Sequence, residues 1–163
     1  MNFRRLFRGV ALAGATGFGL GYSPLAPGTV GTLPGVVLVW WVWGGLTHPL
    51  GQAMVALGLT FAAVPLCSLA EAWYGRKDDR RIVADEYLAF PLCVIGLPIV
   101  EFPVLLAVAF VTCRGFDIIK PWPADRLQRW PRGWGIVADD FFTSIYSLAL
   151  NHLMYRVLLR PLL

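Results

Sequence analysis

Five of the chain's ten acidic residues fall in three tight groups: Asp85-Glu86, Asp117 within Arg114-Gly-Phe-Asp-Ile-Ile-Lys120, and Asp139-Asp140. Each group sits at the mouth of a long apolar stretch, where charge is costly unless something positive neutralises it. Carboxylates beside an Arg and a Lys have the chemistry to hold a divalent cation against a phosphate. Hard cations take oxygen ligands, Arg presents a planar fork to phosphoryl oxygens, and Lys adds a point charge. Plainer structural roles account for part of the pattern. A carboxylate near a helix N-terminus gains roughly 0.3–1 kcal/mol, an aspartate can cap a helix, and an ion-pair ladder along 114–120 is worth at most about 1 kcal/mol. The first two each explain one carboxylate of a pair, not both. Pro121 and Pro123 are expected to end a helix just after Lys120, with Arg114, Asp117 and Lys120 at three-residue spacing on one face.

A fourth segment, Ser23-Pro-Leu-Ala-Pro-Gly-Thr-Val-Gly-Thr32, has no carboxylate. Its backbone N–H groups can cradle an anion, with Thr29 or Thr32 adding a hydroxyl. No Lys follows, so it is not a Walker sequence, and a membrane-entry turn explains it nearly as well. Five glycines and two prolines between Gly17 and Thr32 predict a loop.

The elements that must position these residues are apolar. The chain has 163 residues, 57% of them hydrophobic, and a mean hydropathy of +0.62, above the roughly 45–50% apolar content of soluble domains. No charged residue occurs between Arg8 and Glu71, and Phe141 to Tyr155 carries none. These runs predict a single all-α domain over 1–163, an integral membrane protein with about four membrane-embedded helices. Leu33 to Leu46 and Gln52 to Ala70 form a hairpin, with Trp40, Trp41 and Trp43 in an aromatic belt near its far end. Tyr87 to Pro98 and Pro103 to Cys113 are each short for a crossing and are read as a second, shallow hairpin, with one tilted helix as the alternative. Phe141 to Leu159 is a last helix.

The net charge of +4 resides in short loops (Arg4 to Arg8, Arg76 to Arg81, Arg114 to Arg132) rather than on a groove-lining face. It therefore points to cytoplasmic loops and anionic lipid headgroups, not to nucleic acid. The three acidic groups and the glycine segment then converge on the cytoplasmic face. Residues 1–15 read as a retained basic interfacial helix, with Phe3, Leu6, Phe7 and Val10 towards lipid, rather than as a cleaved leader. Cys67, Cys93 and Cys113 lack metal or disulfide spacing and read as reduced packing residues.

Several phosphatase chemistries are excluded. His48 and His152 are remote from the carboxylates, so a phosphohistidine route lacks its pair. No Cys-x5-Arg loop and no Asp-x-Asp-x-Thr motif is present. Metal-assisted hydrolysis remains.

In order and spacing, the Ser23–Thr32 segment, Asp85-Glu86, Arg114-Gly-Phe-Asp-Ile-Ile-Lys-Pro-Trp-Pro123 and Gly135-Ile-Val-Ala-Asp-Asp140 resemble the phosphatidylglycerophosphatase A family. The resemblance runs from about Thr16 to Ser144, and the Phe-Asp-x-x-Lys-Pro-Trp-Pro string is its most specific part. Ala89 replaces a glycine usual in the family, and Thr143-Ser144 replaces Ala-Gly. The resemblance implies a Mg²⁺-dependent enzyme of the bacterial inner membrane, acting at the cytoplasmic face. Its reaction would remove the terminal phosphate of phosphatidylglycerophosphate in phospholipid biosynthesis. Asp85, Glu86, Asp117, Asp139 and Asp140 are then the expected Mg²⁺ ligands, one of them also the base. Asp85, Asp117, Arg114 and Lys120 form the catalytic core; Ser23, Gly28, Thr29, Arg114 and Lys120 bind the phosphate. The alternatives are a small transporter or assembly protein without enzymatic activity, and a lipid phosphotransferase of the CDP-alcohol type. The Asp-Gly-x2-Ala-Arg signature of the latter is missing.

Overall fold

A computed structural model describes residues 3–160, whose regular elements are all helical, without a strand. The helices are α1 (Phe3–Ala15), α2 (Pro27–Trp43), α3 (Pro49–Tyr74), α4 (Ala84–Ala89), α5 (Val104–Ile119), α6 (Ala124–Leu127) and α7 (Gly133–Met154). A 3-10 turn, Phe90–Val94, continues α4, and a π turn, Tyr155–Leu159, continues α7.

The all-α expectation is met, with α7 at the centre against α3, α4 and α5. Among the described residues one helix, α3, is long and apolar enough to cross a bilayer. At 1.5 Å per residue, α2 and α5 reach roughly 25 Å, short of a bilayer's hydrocarbon thickness of about 30 Å. Apolar side chains cover the outside as well as the inside: Leu33, Val37 and Trp41 on α2, Met54 and Phe61 on α3, Val111 on α5 and Leu153 on α7 are exposed. Trp43, expected in an aromatic belt, is instead a core residue, 1% exposed. On α1, Leu6, Phe7 and Val10 are exposed, and Ala15 packs into the core; the side chain of Phe3 lies outside the described residues.

The segment from Ala84 to Val94 is the hub. Apart from Glu86 it is buried throughout, enclosed by α2, α3 and α7. Its helix breaks at Pro91, and the break leaves backbone groups without intrahelical partners. Side chains from the surrounding helices satisfy them. Asn151 donates to the Cys93 carbonyl at 2.9 Å, His152 Nε2 pairs with the Ile95 carbonyl at 2.8 Å, and the Gly96 N–H donates to Gln52 at 2.8 Å. Asn151 and His152, which weaken 141–159 as a plain spanning segment, are therefore tools for sealing this break.

Two boundaries differ from the sequence reading. The glycine segment is not a loop to its end: from Pro27, at the first helical position, it is the start of α2. Tertiary packing overrides propensity here. A Cβ on Gly31 would lie 2.5 Å from Val83 Cβ, so only glycine lets α2 approach α4's entry this closely. Likewise α7 begins at Gly133 rather than near Phe141, so Asp139 and Asp140 lie inside the helix, whose N-cap is Arg132.

Candidate active site

Four helices and one loop bring the predicted residues to one end of the bundle. α4 contributes Asp85 and Glu86 in its first turn, α5 contributes Arg114 and Asp117 in its last turns, and α7 contributes Asp139 and Asp140. Lys120 follows α5 as its C-cap, in a left-handed conformation (φ 46°). α2 brings Gly28. The loop before α4 adds Asp78 and Arg80, which the sequence reading did not select. All of these line one cavity of about 270 Å³.

Arg114 is the organising cation. Its Nη1 donates to Glu86 Oε2 at 2.9 Å, and its Nη2 pairs with Asp117 Oδ2 at 3.0 Å, the expected i,i+3 contact. Thr32 Oγ1 lies 3.1 Å from Glu86 Oε2 and accepts from Arg114 Nη1 at 3.3 Å. Thr32, fully buried at 0% exposure, is the hydroxyl of the glycine segment that reaches Glu86 and Arg114, and it also donates back to the Gly28 carbonyl at 2.9 Å. Gly28 is there for space: a Cβ would fall 2.4 Å from Glu86 Oε1 and 2.6 Å from Arg114 Nη2. Of the other segment residues expected to bind phosphate, Ser23 turns back to the Leu25 carbonyl, and neither it nor Thr29 lines the cavity.

Lys120 does not stay on the face of Asp117. Pro121 stops the helix, the left-handed cap redirects the side chain, and its ammonium pairs with Asp139. Burial opposes the charge on Lys120, but adjacent Asp139 outweighs it and raises the ammonium above the ordinary lysine range.

Arg114 and Lys120 thus occupy Glu86, Asp117 and Asp139. What remains is Asp85 and Asp140, each buried, with Asp85 Oδ1 and Asp140 Oδ2 lacking any hydrogen-bond partner. Arg114 Nε is likewise an unpartnered buried donor. Six carboxylates and three cationic side chains face the cavity, so when ionised it carries three excess negative charges. A phosphate dianion does not enter such a space unless a further cation is present. The donor set, hard oxygens with two unsatisfied, fits a divalent ion that retains waters and uses one or two carboxylates plus substrate phosphate, as Mg²⁺ does. Among the described residues no group of three or more His, Cys, Asp or Glu side chains is gathered closely enough to hold a metal alone.

The relatives of this helical chain are lipid phosphatases. The chain belongs to the phosphatidylglycerophosphatase A family, whose sequence model matches residues 13–155. It is 34% identical over 134 residues to phosphatidylglycerophosphatase A of Escherichia coli K12, covering 82% of this chain and 76% of that one. It is 33% identical over 135 residues to phosphatidylglycerophosphatase A of Haemophilus influenzae, covering 82% of each. A Bacteroides thetaiotaomicron protein provisionally named a phosphatidylinositol-3-phosphatase is 32% identical over 143 residues, 83% of this chain and 87% of that one. No solved structure matches the chain.

Proposed function

We propose that the chain hydrolyses the terminal phosphomonoester of phosphatidylglycerophosphate to phosphatidylglycerol and inorganic phosphate, with a Mg²⁺ that Asp85 and Asp140 would hold. The observation that carries the metal is the pair of buried, unsatisfied carboxylate oxygens in a cavity with excess negative charge. Bound there, Mg²⁺ supplies neutralisation of phosphoryl charge and acidifies water. Arg114, held by Glu86, Asp117 and Thr32, offers the remaining Nη2 hydrogen and its charge to phosphoryl oxygens, where charge builds in the transition state. Lys120, kept charged by Asp139, adds a second cation. Asp117 engages Arg114 through Oδ2, and its other oxygen takes the proton from attacking water. Water oxygen bonds to phosphorus as the phosphorus–ester oxygen bond breaks, and the proton passes to the departing glycerol oxygen.

We place the cavity at the cytoplasmic face of a bacterial inner membrane. Support comes from the apolar exterior of the bundle, from α3, and from the basic loops 76–81 and 114–132 beside the cavity. A second reading, the same chemistry on a phosphoinositide monoester, is favoured by the name of the Bacteroides relative.

Phosphate release from phosphatidylglycerophosphate and from phosphatidylinositol 3-phosphate, each with and without EDTA, separates these readings. The expected result is Mg²⁺-restored release from the first substrate, lost roughly 10³-fold in Asp140→Asn. Full turnover in EDTA, or in Asp140→Asn, overturns the metal site; preference for the inositol lipid overturns the substrate.

A further inference from the structure

Arg80, Arg114 and Lys120 line the reaction cavity, and two of these three cations are already matched. Arg114 is held by Glu86 and Asp117, and Lys120 pairs with Asp139. Arg80 makes no ion pair among the described residues. The carboxylate next to it in sequence is taken, because Asp79 accepts from the backbone N–H, Nε and Nη2 of Arg81. Those bonds also fix the backbone from which Arg80 projects. The Arg81 guanidinium carbon sits 3.8 Å from the centre of the Tyr74 ring, and the Ile82 N–H donates to the Asp79 carbonyl at 2.7 Å. A Cβ on Gly21 would fall 2.1 Å from the Arg81 carbonyl oxygen, so the chain ahead of α2 packs directly on this turn. The result is an exposed charge, at the rim of the cavity, on a pinned turn.

Both lipids considered as substrate bring a second phosphate to that rim. In phosphatidylglycerophosphate and in phosphatidylinositol 3-phosphate, a phosphodiester stands three carbons from the phosphomonoester, and the middle carbon carries a hydroxyl. With the monoester at Arg114 and Lys120, the diester lies on the side of the acyl chains, towards the cavity's edge. The cavity holds more carboxylates than cations, so it repels this further anion unless a free cation meets it. We infer, resting on the phosphatase activity proposed above, that Arg80 determines specificity by taking the substrate's phosphodiester. The site thereby selects lipids with a diester beside the phosphomonoester over phosphatidic acid, which has the monoester alone. Arginine suits the role, since its planar fork meets two phosphate oxygens at once. Its exposure keeps the contribution modest, because water screens the pair.

The test uses the full chain in mixed micelles, with whichever of the two lipids wild type hydrolyses faster as substrate. Its dephosphorylated product, which keeps the diester, and phosphatidic acid, which keeps only a monoester, serve as competitors. Arg80→Gln should raise KM for the substrate, and the inhibition constant of the product, roughly fivefold to tenfold, the worth of one partly screened charge-assisted contact. The inhibition constant of phosphatidic acid should stay where it was, and kcat should move by less than about twofold, as expected when a contact away from the reacting atoms is lost. Arg129→Gln, on an exposed cation of the same basic loops that does not line the cavity, should leave KM and both inhibition constants at wild-type values. An unmoved KM in Arg80→Gln overturns the inference. So does an equal rise for phosphatidic acid, which assigns Arg80 to the monoester, or an equal effect of Arg129→Gln, which assigns it to surface charge at large. No phosphate release from either lipid by wild type overturns the phosphatase reading itself, and this inference falls with it.

Discussion

Arg114 shows how one side chain converts a set of carboxylates into a site. It ties Glu86 and Asp117 into one clamp, and Thr32 completes the clamp from a third helix. Lys in its place keeps the charge and loses the fork. Arg114→Lys is therefore expected to lower kcat for phosphate release roughly 10²-fold, with protein yield and melting temperature unchanged. Thr32→Val removes one hydroxyl of the same volume, and a loss of roughly tenfold in kcat/KM is expected, equal to one hydrogen bond of about 1–1.5 kcal/mol. Steady-state kinetics on the two purified variants decides; wild-type rates in Arg114→Lys are incompatible with the clamp. Thr32 was visible in the sequence only as one of two threonines in a glycine-rich run. Its pairing with Glu86, 54 positions away, was not, because nothing local distinguishes it from Thr29.

At the scale of elements, the broken segment 84–94 is stable only because its neighbours supply hydrogen bonds. Asn151→Leu removes the donor to the Cys93 carbonyl and the acceptor for Thr112. A cost of about 1–3 kcal/mol follows from leaving buried groups unpaired, read as a lower melting temperature in detergent; an unchanged melt contradicts the sealing role. The entry to the same segment is pinned by Asp79, whose carboxylate accepts from the backbone N–H, Nε and Nη2 of Arg81 at 3.1, 2.7 and 2.9 Å. The Arg81 hydrogen bonds hold Asp79 below the usual carboxylate range. A lowered folded value means the stabilisation is complete above that range, about pH 4, and fades as acid takes the pH down through the lowered value. Asp79→Asn should melt lower than wild type at neutral pH and converge with it in acid. A gap between the two that persists at low pH assigns the effect to something other than this ion pair.

For the whole molecule, the order of elements sorts chemistry to one end. α2 and α7 run away from the reaction cavity, α3 and α5 run back towards it, and 84–94 leaves it and stops short. Single cysteines introduced at Arg80 and Arg129 should therefore share one labelling side, the cytoplasmic one in the proposed orientation, and one at Glu101 the other. This is measured with a membrane-impermeant thiol reagent on inside-out and right-side-out vesicles, in a background lacking the native cysteines, all three of which are buried. Arg80 and Arg129 on opposite sides is an outcome the fold does not permit.

The sequence alone determined the helical class, the apolar exterior, the three acidic groups and the stop after Lys120. These follow from composition, spacing and proline, each acting within a few residues. The tertiary structure alone decided where α2 and α7 begin, that Trp43 is core, and that Arg114 and Lys120 engage three of the five carboxylates while Asp85 and Asp140 stay unsatisfied. Those outcomes depend on how closely backbones from distant segments approach, as at Gly28 and Gly31, and on which charge meets which across the bundle. No pattern confined to one stretch of chain encodes such distances.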